Sequence, residues 1–127
     1  MFASGHVVCR PTQKEAEDYY HYIVHEKGDW EAVDHLVKIR SNQQSMSVED
    51  MKKIKERLIS GLATYAVIGS PDKVAATFKT LSDAGLDGMA VGFVNYLNDL
   101  PLIRDEVLPR MERLGIRTTI QPGRKRA

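Results

Sequence analysis

The 127-residue chain carries 18 basic and 17 acidic side chains, a formal net charge of +1, 43% hydrophobic and 28% charged residues, and one cysteine. These values suit a single domain of ordinary globular composition and give no sign of the basic surface that binds nucleic acid. The apolar runs fall far short of the ~20 residues that cross a bilayer, the N-terminal stretch lacks a secretory pattern, and a lone Cys9 allows no internal disulfide, so the expected location is the cytoplasm.

In chain order, "GHVVCR" (Gly5 to Arg10) is a short β-rich run and predicts a strand with Cys9 as a buried structural thiol. Thr12 with Glu15 makes a capping box, so a helix is expected from Gln13 to about Glu26, with Ala16, Tyr19, Tyr20, Ile23 and Val24 as its buried stripe. Gly28 ends that helix, and Asp29 caps a second from Trp30 to about Ile39. Arg40 to Ser47 is polar and aperiodic and reads as a loop. Ser47 caps a third helix, Val48 to about Ser60, showing Met51, Ile54 and Leu58 on one side.

A strand of four or five residues is expected within Thr64 to Ile68. Ser70 followed by Pro71 and Asp72 is a strong helix start. Val74, Ala75, Phe78, Leu81 and Ala84 are its inward positions, and Gly85 stops it in the left-handed conformation. "DGMAVGF" (Asp87 to Phe93) predicts an apolar strand covered on both faces. Val94 to Asp99 reads as a loop, and Leu100 to Leu114 as a last helix, broken or kinked at Pro109 and ended by Gly115. Arg117 to Ile120 could add a short strand before a basic tail. The order β-α-α-α-β-α-β-α implies α/β architecture with parallel strands. Three strands leave two open edges that invite a partner chain.

Function in such folds collects at the C-terminal ends of the strands. His6 lies in the first strand as a candidate for the interior, against the commoner role of a hydrogen-bonded structural histidine. Arg10 ends that strand; its alternatives are a salt bridge and a grip on an anionic substrate. His21 and His25 have metal-compatible i, i+4 spacing, with no third ligand beyond an unassigned His35, so a solvated helix face is preferred and no metal is assigned. "GSPDKVA" offers amides at a helix N-terminus to a phosphate, against a plain helix cap. Phe93, Asn95 and Tyr96 stand where a flat ligand would be met, although core packing equally suits Phe93.

The stretches "GHVVCRPTQKEAEDYYHYIVHEKGDWEAVDHLV", "IRSNQQSMS", "GLATYAVIGSPDKVAATFKTLSDAGLDGMAVGF" and "NYLNDLPLIRDEVLPRMERLGIR" together resemble the C-terminal part of the bacterial luciferase-like flavin-dependent monooxygenases, nearest the alkanesulfonate and dimethylsulfone branch. The resemblance covers about residues 2 to 117. It implies part of a (β/α)8 TIM barrel, about its last three β/α units plus a helical insertion, with residues 1–120 as the C-terminal half of the domain and 121–127 as a basic tail. It also implies reduced FMN, or in some branches a deazaflavin, together with O2, a flavin reductase as partner, and oxygenation of a small organic substrate.

Carried over by position, His6 matches a strand histidine that faces the active site, and is the expected catalytic residue. Phe93 falls where that branch has an active-site tyrosine, and is the expected substrate contact; Arg10, from its place at the end of the first strand, is the second. Ser4 and the "ATYAVIG" segment replace an arginine and a glycine-rich segment of the branch. The family's flavin contacts come mostly from the earlier half of the barrel, so no cofactor-binding residue is assigned here and flavin binding by this chain alone is not expected. The expected partners are further copies of the chain or a missing N-terminal half. The competing readings are a non-catalytic remnant or interaction module that oligomerises through its sheet edges, and a small ligand-binding α/β domain unrelated to flavin.

Overall fold

The computed structural model describes residues 1–40 and 46–119. Strand β1 (Phe2–Cys9) is followed by α1 (Gln13–His21), whose last turn widens into a π-helical segment, Tyr22–Glu26. Then come α2 (Trp30–Arg40), α3 (Val48–Gly61), β2 (Tyr65–Gly69), α4 (Pro71–Asp83), β3 (Gly88–Gly92), α5 (Tyr96–Leu102), a second π-helical segment (Ile103–Val107) and α6 (Leu108–Arg113).

The helix starts follow from local chemistry. The Thr12 hydroxyl accepts from the Glu15 amide and the Glu15 carboxylate accepts from the Thr12 amide, a complete capping box. Asp29 accepts from the Ala32 amide, Ser47 from Asp50 and Ser70 from Lys73. The last helix differs from expectation. It begins at Tyr96 rather than Leu100, because the Asn95 side chain accepts from the Leu97 and Asn98 amides. The break expected at Pro109 takes the form of the π-helical segment just before it, where the Leu108 amide reaches back to the Ile103 carbonyl. Proline has no amide and crowds the carbonyl four residues earlier, so the helix widens there.

All three strands are parallel, in the order β2-β1-β3. Gly5 to Cys9 pair with Tyr65 to Gly69, and Phe2 to His6 pair with Gly88 to Gly92. Consecutive units of a closed barrel would place β2 between β1 and β3. Here β1 takes the middle. Its Val7, Val8 and Cys9 are each at most 2% exposed, with a strand on each edge and helices over both faces. The β3 expectation is correspondingly corrected: it is an edge strand, with Ala90 exposed and its other residues half-buried. Arg117 to Thr119 form no strand, and Ala84 faces solvent. The Arg40–Ser47 loop begins at the end of α2. Its residues 41–45, Ile120 and the basic tail lie outside the described residues.

The helices cover both faces of the sheet. On one face, Val7, Cys9 and Val67 pack with Val74 and Ala75 of α4 and Val107, and Phe78, Val91, Phe93, Leu102, Ile103 and Met111 close around them. Arg110 bridges Asp72 at the start of α4 to Glu106, tying α6 to α4. The opposite face carries His6 and Val8 by strand alternation and meets the end of α3, which in turn packs on α2 and on the π-helical end of α1. Among the described residues, no helix is long and apolar enough to cross a membrane.

Candidate functional site

His6 is 6% exposed and sits where α3 ends. Its Nδ1 lies 3.0 Å from the Thr64 hydroxyl. That hydroxyl is 2.7 Å from the Gly61 carbonyl oxygen, to which it donates. Gly61 leaves the space the imidazole fills: a Cβ there would lie 2.2 Å from Nδ1. The turn that delivers Thr64 uses two non-glycine residues in the left-handed region, Leu62 at φ 53° and Ala63 at φ 64°, a conformation costing roughly 1–2 kcal/mol per residue. Burial, with the positive charge of Arg57 second, holds the His6 pKa below 6.5, so the ring is neutral near pH 7. Its Nε2 is enclosed and has no hydrogen-bond partner among the described residues.

Arg10 takes the salt-bridge role. Its Nη1 donates to Asp99 Oδ1 at 2.8 Å and to the Cys9 carbonyl at 2.6 Å, and its guanidinium lies 3.8 Å from the Tyr19 ring centre. Asp99 is only 4% exposed, and its Oδ2 accepts from the Asn95 amide. This pair clasps the loop after β1 to the start of α5, the helix that follows β3; β1 and β3 are the two strands where the winding of the sheet reverses, which is the usual ligand crevice of such sheets. Asp99 escaped the sequence reading. Its only local signal is the Asn95 cap four residues earlier, and nothing there points to Arg10.

Phe93 packs into the core and meets Tyr96 edge-on, with ring centres 5.4 Å apart. The register pairs His6 with Gly92 and Gly5 with Val91, so Phe93, two residues after Val91, falls on the face opposite His6. His6 and Phe93 are therefore not brought into one pocket. Gly92, beside His6, is open: a Cβ there would meet nothing nearer than 4.0 Å, the Gly5 carbonyl and the Tyr96 hydroxyl.

At the start of α4 the Ser70 amide is taken by the Gln13 side chain at 3.3 Å, which removes one of the donors a phosphate would need. Near the ends of β1 and β3, Arg10 Nη1 is likewise engaged, by Asp99. At these two places the donors a flavin phosphate would use are already held by protein groups. His21 stacks on His25 and His25 on Trp30, with ring centres 4.7 and 5.8 Å apart, and among the described residues no three His, Cys, Asp or Glu converge as metal ligands. Cys9 is free and buried, and its thiol is pushed up to about 11, chiefly by burial. No family model matches this chain, and no curated protein matches it in sequence.

Proposed function

We propose that this chain is the substrate-side part of a flavin-dependent monooxygenase, completed by barrel strands that these 127 residues do not contain. What carries the reading is His6: a buried, neutral imidazole with one nitrogen unpaired among the described residues, at the strand position where the resembling family has an active-site histidine. Bound flavin would supply the oxygen chemistry, and its seat would lie on the completing strands. His6 would accept a proton or a hydrogen bond from the small organic substrate. The reading makes a structural demand. In a closed barrel β3 must leave the edge of β1 and pair with β2, exchanging the five pairings from Phe2–Gly88 to His6–Gly92.

The test is a titration of reduced and oxidised FMN against this chain alone and against the chain combined with the product of an adjacent reading frame. No binding to the chain alone, with flavin binding and oxygen consumption by the combination, supports the reading. A combination that binds no flavin and consumes no oxygen overturns it.

A second reading, an interaction module that self-associates through its edges, is favoured by β2 and β3 themselves. Tyr65–Gly69 and Gly88–Gly92 contain no charge and no proline, the usual guards of an exposed edge. Light scattering decides it: oligomers dispersed by Ala90→Lys on β3 support edge pairing, and a wild-type monomer refutes it.

A further inference from the structure

We propose that Thr64 is a positioning residue that locks His6 in the tautomer with the proton on Nδ1, leaving the lone pair on Nε2. The inference rests on the role given to His6 above and adds the group that sets its chemistry.

The protons available at this contact fix the tautomer. A threonine hydroxyl has one proton to donate and lone pairs to accept with. The 2.7 Å separation between Thr64 Oγ1 and the Gly61 carbonyl oxygen is occupied by that proton, since a carbonyl has none of its own. Facing His6 Nδ1 at 3.0 Å, Thr64 can then only accept. The neutral ring must therefore carry its proton on Nδ1. The tautomer of a histidine is set by the hydrogen bond its other nitrogen makes, and here that bond leaves Nε2 as a bare acceptor in a buried position without a partner among the described residues. An unpaired buried acceptor costs free energy that folding alone gives no reason to spend.

The local backbone supports the same conclusion. Leu62 and Ala63 both hold left-handed conformations, and by doing so they set Thr64 between Gly61 and His6. Strain kept at a polar contact is the pattern of a functional site. The chemical class that Nε2 would serve is a proton donor, an O–H or N–H of a substrate or of a completing segment.

The experiment is imidazole 15N NMR on the full chain at neutral pH, with His6 assigned by its loss in His6→Asn. The wild type should show a protonated, pyrrole-like Nδ1 and a pyridine-like Nε2. Thr64→Ser, which keeps the hydroxyl, should give the same pattern. Thr64→Val, which keeps the shape, should invert the tautomer ratio toward Nε2–H. A wild-type His6 protonated on Nε2 overturns the proposal, as does a Thr64→Val spectrum unchanged from wild type. Should Thr64→Val fail to fold, the wild-type and Thr64→Ser spectra still decide the tautomer. These readouts need no flavin, so their failure is distinct from failure of the monooxygenase reading, which oxygen consumption tests separately.

Discussion

Replacing Gly61 with alanine sets two effects of opposite sign against each other. Gly61 is the last residue of α3, and an alanine in a helix is worth up to ~1 kcal/mol over glycine. Against this stands His6. The new methyl would lie 2.2 Å from Nδ1, 2.5 Å from Cγ and 2.8 Å from Cε1, all well inside van der Waals contact. The ring has to move, and the enclosed site offers little room. Overpacking of this kind costs ~1–3 kcal/mol, and the lost Nδ1 hydrogen bond to Thr64 adds ~0.5–1.5 kcal/mol. The net expectation is a loss of about 2 kcal/mol, a drop of about 1 M in the urea midpoint if m is about 2 kcal/mol/M. In a His6→Ala background the obstacle is gone, and Gly61→Ala should become neutral or stabilising. The pair of measurements forms a double-mutant cycle. If Gly61→Ala stabilises the wild type, or costs the same with and without the imidazole, the placement of His6 against α3 is wrong.

Three further outcomes follow from the same geometry. The folded His6 pKa is depressed below the unfolded 6.5, so the unfolded chain binds the proton more readily; the contribution is full above about pH 6.5 and lost as pH falls through the folded value, and the stability difference between wild type and His6→Asn should shrink on that acid side in urea melts. Asp99→Ala leaves Arg10 unpaired and the Asn95 amide without its acceptor, and should cost ~2–3 kcal/mol, less than a fully buried pair because Arg10 keeps some solvent; in an Arg10→Met background the cost should fall by at least ~1 kcal/mol, and equal costs would refute the clasp. Cys9, with its pKa near 11, is only ~0.1% thiolate at pH 8, so a thiol reagent should label it at the rate of unfolding and become fast only in denaturant.

The helix starts at Gln13, Trp30, Val48 and Pro71 were legible because each is set by a side chain within three residues of the amide it caps. The left-handed stops at Gly85 and Gly115, at φ 99° and 73°, were legible for the same local reason. Strand order was not. Parallel pairing is decided between segments far apart in the chain, and the alternation of strands and helices is equally compatible with β1 at an edge or in the middle. The candidate site divides the same way. His6 and Arg10 stood out by residue type and strand position. Asp99 and Thr64, which determine what those two side chains can do, are ordinary residues until the fold brings them within 2.8 and 3.0 Å.

The central place of β1 has a consequence for how the chain acquires its structure. Every strand pairing in the described sheet involves Phe2 to Cys9, yet their partners begin only at Tyr65 and Gly88. Strand β1 is thus a template whose two partners lie far along the chain from it, with three helices before the first and a fourth before the second. Such non-local closure slows folding and leaves the "HVVC" run exposed meanwhile. Removing Phe2–Cys9 would not cost the described sheet one strand in three; β2 and β3 share no edge, so both of its ladders would go at once.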